Sequence, residues 1–166
     1  MNYKILLIVF FGIAVSIVSC KKKTQEVIST DTDIEEVQKI GYSLFGGWIG
    51  TGYNLVITPD SIHYFYEVMT TREAGKYEAL TSAEMWSALL KEVDLNEFEK
   101  IESTPSIQEV DGSDSEFFVE TNKRRLSFIN GESNEHYRKL KPFFDTVIKL
   151  EYECREKSVK SKIEYN

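Results

Sequence analysis

Two cysteines, two histidines and three prolines in 166 residues leave little from which to build a thiol or metal site. The histidines, His63 and His136, lie far apart, and no His or Cys cluster has zinc-ligand spacing. There is no Gly-x-Ser-x-Gly turn to present a serine nucleophile and no Gly-Lys-Ser/Thr ending of a phosphate loop. Carboxylates are so abundant that pairs of them can be drawn anywhere, and they therefore indicate no particular chemistry. Basic residues are scarce beyond the leader: from Thr24 onward 16 Lys and Arg face 27 Asp and Glu, a net charge of −11. Such a surface repels a nucleic-acid backbone, and that class of partner is excluded. No catalytic residue, metal ligand or cofactor is expected.

What is present begins with a leader. Lys4 starts it, an apolar run follows from Ile5 to Val18, interrupted only by Gly12 and Ser16, and small Ser19 precedes Cys20. Charged head, apolar centre and small residue at the cut are the layout of a secretory signal. A spanning helix needs roughly 20 apolar residues, and Lys21-Lys22-Lys23 ends this run early. Ile17-Val18-Ser19-Cys20 resembles the lipobox of bacterial lipoproteins, with its aliphatic residue three positions before the cysteine and its small residue just before. The resemblance implies cleavage before Cys20, lipid attachment to Cys20 and membrane anchoring, each buried acyl methylene contributing about 0.8 kcal/mol. Cys154 then stands alone, so no internal disulfide is available and the core must hold the domain.

The chain divides accordingly. Residues 1–19 are the expected signal peptide, 20–33 a lipidated N-terminus and polar tether, 34–154 one α+β domain, and 155–166 a charged tail. Within the domain, Ile40, Tyr42 and Leu44 alternate with polar residues as a strand does. Gly46-Gly47-Trp48-Ile49-Gly50-Thr51-Gly52 breaks that strand with a wide bend. Tyr53, Leu55 and Ile57 mark a second strand, and Ile62, Tyr64, Tyr66 and Val68 a third, opposite His63, Phe65 and Glu67. Lys76 to Leu80 is a short fourth. Thr81-Ser82-Ala83-Glu84 fits a helix capping box, with Trp86, Leu89, Leu90 and Val93 at helical spacing after it, and a short continuation over Asp94 to Glu102. A hairpin, Phe117 to Thr121 and Leu126 to Ile129, precedes a closing helix on Leu140, Phe144, Val147 and Ile148. The expectation is an α+β fold: an antiparallel sheet of about six strands with two helices packed on one face.

Three features invite a functional reading. The acidic loop Asp111 to Glu116 holds oxygen ligands but lacks the EF-hand layout, and reads as a solvated loop. Trp48, at the centre of the glycine bend, either plugs the core or stands exposed as a binding anchor. Tyr53, Tyr64 and Tyr66 make the sheet aromatic; cross-strand packing is the ordinary role, and an open tyrosine face that binds a sugar, peptide or protein is the other. Trp48, Tyr53, Tyr64 and Tyr66 are thus the candidate binding surface.

Ser19-Cys20-Lys21-Lys22, the Gly46-Gly47-Trp48-Ile49-Gly50 segment leading to Gly52-Tyr53, the Pro59-Asp60 turn and the Trp86-x-x-Leu89-Leu90 helix resemble small Bacteroidota-type lipoproteins of uncharacterised function, over Ile40 to Phe128. That group carries no catalytic residues to transfer. Its surface-exported members bear acidic residues after the cysteine; Lys21 to Lys23 depart from this and imply the periplasmic side, at the outer membrane. Gly46-x-Trp48 also resembles the lipocalin entry motif, which implies a barrel. The functional expectation is a lipid-anchored envelope protein with a non-catalytic binding or inhibitor-like domain, its partner an envelope protein of basic character. The alternative is a small-ligand carrier using an aromatic sheet face or a lipocalin-like barrel.

Overall fold

The computed structural model describes residues 34–48 and 50–163. The expected signal peptide, Cys20 and the expected tether through residue 33 lie outside the described residues. Among the described residues, no helix is long and apolar enough to cross a membrane.

Four strands form a meander in which each follows its neighbour: β1 (Val37–Gly46), β2 (Thr51–Ile57), β3 (Ser61–Val68) and β4 (Glu73–Leu80). Helices α1 (Ala83–Glu92) and α2 (Leu95–Phe98) carry the chain back to a hairpin, β5 (Ser113–Thr121) and β6 (Arg125–Ile129). Helices α3 (Glu135–Lys139) and α4 (Lys141–Lys157) follow, and β7 (Val159–Lys162) ends the fold. All pairings are antiparallel, in one seven-stranded sheet of order β6-β5-β1-β2-β3-β4-β7. The α+β architecture is as the residue pattern indicated, with seven strands and four helices among the described residues in place of six and two.

The alternation that marked the strands sets which face is buried. Tyr42, Leu55, Tyr64 and Tyr77 stand side by side across β1 to β4, as do Ile40, Ile57, Ile62 and Ala79. This face meets α4, whose Phe143, Phe144, Val147, Leu150 and Cys154 are buried against it. Phe144 is central: its ring stacks on Tyr137 at 4.1 Å and meets Phe117 at 4.7 Å and Phe128 at 5.6 Å. Pro142 lies in the first turn of α4, where its missing N–H costs nothing.

Three local differences have clear causes. Ser82 rather than Thr81 caps α1: its Oγ accepts from the Met85 N–H at 3.1 Å. Thr81 Oγ1 is left as a buried atom without a partner. The segment read as a tail supplies the last turn of α4 and then β7, whose four residues are exposed and are placed by backbone pairing with β4 alone. The barrel implied by Gly46-x-Trp48 is not formed: β6 and β7 are separate edges, and α4 fills the face that would line a lumen.

The chain enters the domain at one end of the sheet. Glu36 N–H donates to Asn122 Oδ1 at 2.9 Å, Asn122 N–H donates to the Glu36 carbonyl at 3.0 Å, and Arg124 Nε donates to Glu35 at 2.8 Å. Residues 34–36 are thereby clamped to the β5–β6 turn. Because β1 runs away from this clamp, Trp48 lies at the opposite end.

Candidate binding surfaces

The residues proposed from sequence do not form one surface. Tyr64 is 2 % exposed and Tyr66 7 %, and both belong to the core beneath α4. Tyr53 is half-buried beside them. The tyrosine face is therefore a packed face, not an open one: the Tyr64 hydroxyl finds its partners on the helix, and those of Tyr53 and Tyr42 find each other. Tyr64 Oη donates to Glu151 Oε1 at 2.6 Å, Arg155 Nε donates to the same oxygen at 3.1 Å, and Tyr53 Oη donates to Tyr42 Oη at 2.9 Å. Glu151 is itself only 1 % exposed, so it depends on these donors for the solvation it has lost. Burial, and then the Glu151 carboxylate, push the Tyr64 hydroxyl above the ordinary tyrosine range; burial, and then the hydrogen bond to Tyr42, do the same to Tyr53. Burial likewise pushes the Cys154 thiol up to about 11, which leaves it a poor nucleophile.

Trp48 behaves differently. It is 86 % exposed, on a turn that its neighbours hold in place. Gly50 N–H closes the turn on the Gly47 carbonyl at 2.9 Å. Gly47 N–H donates to the Gly112 carbonyl at 2.9 Å, and Met69 N–H donates to the Gly50 carbonyl at 3.1 Å. Gly46, Gly47 and Gly50 have φ of +98°, +76° and +60°, a region that side chains rarely adopt. Met69, Ile107 and Val110 on the flanking loops are exposed too, at 47 %, 46 % and 77 %. Three loops thus present an apolar tip with Trp48 at its summit, and Glu109 and Asp111 are exposed at its margin.

The segment Asp111 to Glu116 next to this tip is not a solvated loop: Ser113 to Glu116 open β5, and Asp114 acts there as a latch. Asp114 is 2 % exposed, and its carboxylate accepts from Ser106 Oγ at 2.6 Å, Asn130 Nδ2 at 2.7 Å, Gln108 Nε2 at 2.8 Å and Ile107 N–H at 2.9 Å. Those bonds, that of Ser106 foremost, hold its carboxyl below the usual carboxylate range. They fold residues 106–112 against β5, and the Gly112 carbonyl then fixes the Trp48 turn. With four donors on its two oxygens, Asp114 has little left for a cation. Among the described residues, no group of three or more His, Cys, Asp or Glu is gathered to hold a metal ion. His63 is exposed on β3, its Nε2 3.1 Å from Ser61 Oγ, and the nearest carboxylate, Glu78, is 4.0 Å from Nδ1. His136 is occupied by Glu97 at 2.7 Å.

A second surface escaped the sequence reading: the sheet face away from α4. Phe45 and Phe65 stand on it, 37 % and 47 % exposed. Phe118 lies flat across Gly41, where a Cβ would come within 1.9 Å of its ring, and the Arg125 guanidinium covers its other side at 3.8 Å. The signal was available in the alternation: Phe45 and Phe65 fall at the opposite parity to Tyr42 and Tyr64. Which parity is covered, however, depends on the distant α4.

Compared with known proteins, the chain matches no family model and no curated sequence.

Proposed function

We propose that this protein is a lipid-anchored envelope lipoprotein whose domain is a non-catalytic docking module, with Trp48 as the anchor it inserts into a partner protein. The observation that carries the reading is a fully presented tryptophan on a turn over-determined by backbone bonds to two other loops. An indole in water is costly unless something covers it, and an ordered one loses little further entropy when it is covered. Met69, Ile107 and Val110 extend the apolar contact, while Glu109 and Asp111 favour a partner whose pocket is ringed by basic groups. The Ile17-Val18-Ser19-Cys20 motif supports the anchor, and Lys21 to Lys23 after it support the periplasmic side of the outer membrane. The clamp of residues 34–36 puts the tip at the end of the sheet away from the chain's entry.

In-cell photocrosslinking of the full-length protein tests this. A photoreactive residue at position 48 is expected to capture one recurrent envelope protein, and capture should weaken as salt rises. The same residue at position 80, where Leu80 is 87 % exposed at the other end of the sheet, should not. Equal adducts at both positions, or none at 48 while another envelope complex is captured in parallel, would refute the reading. Cys20→Ser should abolish incorporation of labelled lipid; persistent labelling would remove Cys20 as the attachment site.

A further inference from the structure

The sheet ends differently at its two edges, and neither edge involves Trp48. At β6 the chain folds back over the strand: Thr104 N–H donates to the Ile129 carbonyl at 2.9 Å, and Ile129 N–H donates to Ser103 Oγ at 3.0 Å. At β7 no backbone bond to a further segment follows among the described residues. All four residues of β7 are exposed, Val159 by 73 %. The register fixes which of its backbone groups are left over. Ile163 N–H donates to the Arg72 carbonyl at 2.8 Å, and Ser161 and Val159 stand opposite Ala74 and Lys76 at the same parity. Bonded and non-bonded pairs alternate in an antiparallel ladder, so the N–H and C=O of Lys160 and Lys162 point away from the sheet.

Such an edge is selective about what it accepts. Donors and acceptors repeated at strand spacing are matched by an extended polypeptide, whereas a helix has spent its backbone groups on itself. The side chains then choose the sign. Lys160 and Lys162 are two residues apart and therefore share one side of the strand. Neither forms an ion pair among the described residues; on β4 Lys160 is registered with Gly75, which offers no side chain, and Lys162 with Glu73. A second copy of β7 is refused, because any register that pairs these outward residues with their own copies sets lysine against lysine. Lysines on an open edge block self-pairing in this way, and the same charges admit a strand of the opposite sign. We infer that β7 accepts an extended acidic segment of another protein as an additional antiparallel strand. Its alternate carboxylates meet Lys160 and Lys162, and an apolar residue between them meets Val159.

The test titrates full-length protein, in nanodiscs of neutral lipid, with a decapeptide of alternating Glu and Val while amide hydrogen exchange is read residue by residue. Binding is expected with a dissociation constant of about 1 mM or tighter, with slowed exchange at Lys160 and Lys162 and weakening as salt rises. A decapeptide of alternating Lys and Val should not bind. Nor should the acidic peptide methylated on its glutamate nitrogens, since those N–H groups pair with the carbonyls of Lys160 and Lys162. Replacing both lysines, Lys160→Gln together with Lys162→Gln, should weaken binding about fivefold with thermal unfolding unchanged. Trp48→Ala should leave it intact, so this result and the crosslinking result fail separately. Failure of the acidic peptide to bind in this range overturns the inference. So does equal binding of the basic peptide, undiminished binding of the methylated one, or saturation that leaves exchange at Lys160 and Lys162 unchanged.

Discussion

The two faces of the sheet are built by the same strands and both carry aromatic rings, yet they have opposite fates. On one face Tyr42, Tyr64, Tyr66 and Phe117 are sealed beneath α4; on the other Phe45 and Phe65 meet solvent. The more polar rings are the buried ones. That inversion is helped by α4, which brings Glu151 and Arg155 to the Tyr64 hydroxyl, and by Tyr53, whose hydroxyl donates to that of Tyr42; a buried hydroxyl with a partner costs little. The phenyl face has no helix above it, and Ser43, Gly52 and Asn54 are small there, while the Phe118 ring fills the space over Gly41. Aromatic content alone therefore does not identify a binding face; the covering element does.

The sharpest way to break this comparison is a pair of truncations. Phe144→Ala removes the ring that joins α4 to the sheet and should cost about 3–5 kcal/mol, whereas Phe65→Ala on the open face should stay within about 0.5 kcal/mol. Urea unfolding measures both, and similar losses would mean that the open face is also part of the core. Next in size, Tyr64→Phe removes one donor from the buried Glu151 and should cost about 1–3 kcal/mol. The lower end is expected because Arg155 remains 2.9 Å from that carboxylate.

Asp114→Asn gives a smaller effect with a distinctive pH signature. The folded carboxyl of Asp114 lies below its unfolded value, which is about 3.9. Its stabilisation is thus present above that pH and is lost as the pH falls toward the folded value. The variant should be less stable at neutral pH and should lose less stability on acidification than the parent. Unfolding curves measured from pH 7 down to pH 2 (about the span over which carboxylates titrate) check this; parallel profiles would remove Asp114 as the latch. The smallest expected effect is that of Trp48→Ala, within about 0.5 kcal/mol of the parent by thermal unfolding, with loss of the crosslinked partner. A large destabilisation there would show that the indole serves the fold rather than a partner.

Much of the fold was legible because it rests on local pattern. Period-two alternation located β1 to β3, a hairpin pattern located the later part of β5 and β6, and helical spacing located α1 and α4. The missed elements lack such a pattern. Helix α3 is five residues long, too short for periodicity to register, although its cap Asn134 stands in the sequence. Strand β7, Val-Lys-Ser-Lys, is charged and exposed, and pairing with β4 is its only reason to be extended. The cap of α1 was misplaced by one residue because Thr81 and Ser82 both carry a hydroxyl that can cap a helix, and the choice between them falls to the path of the chain leaving β4.

The candidate site was legible in part for the same reason. The glycines around Trp48 indicated an unusual backbone, but exposure of the indole depends on how the loops at 69–72 and 106–112 close around the turn. By itself the sequence determined the strand parities, the acidic balance and the glycine turn, because each is a property of neighbouring residues or of composition. Which aromatic face is covered, where Trp48 points, and how Asp114 is satisfied were decided only by tertiary structure. Each of these depends on partners far along the chain, α4 for the tyrosines and Asn130 for Asp114, and no local preference encodes which of them will meet.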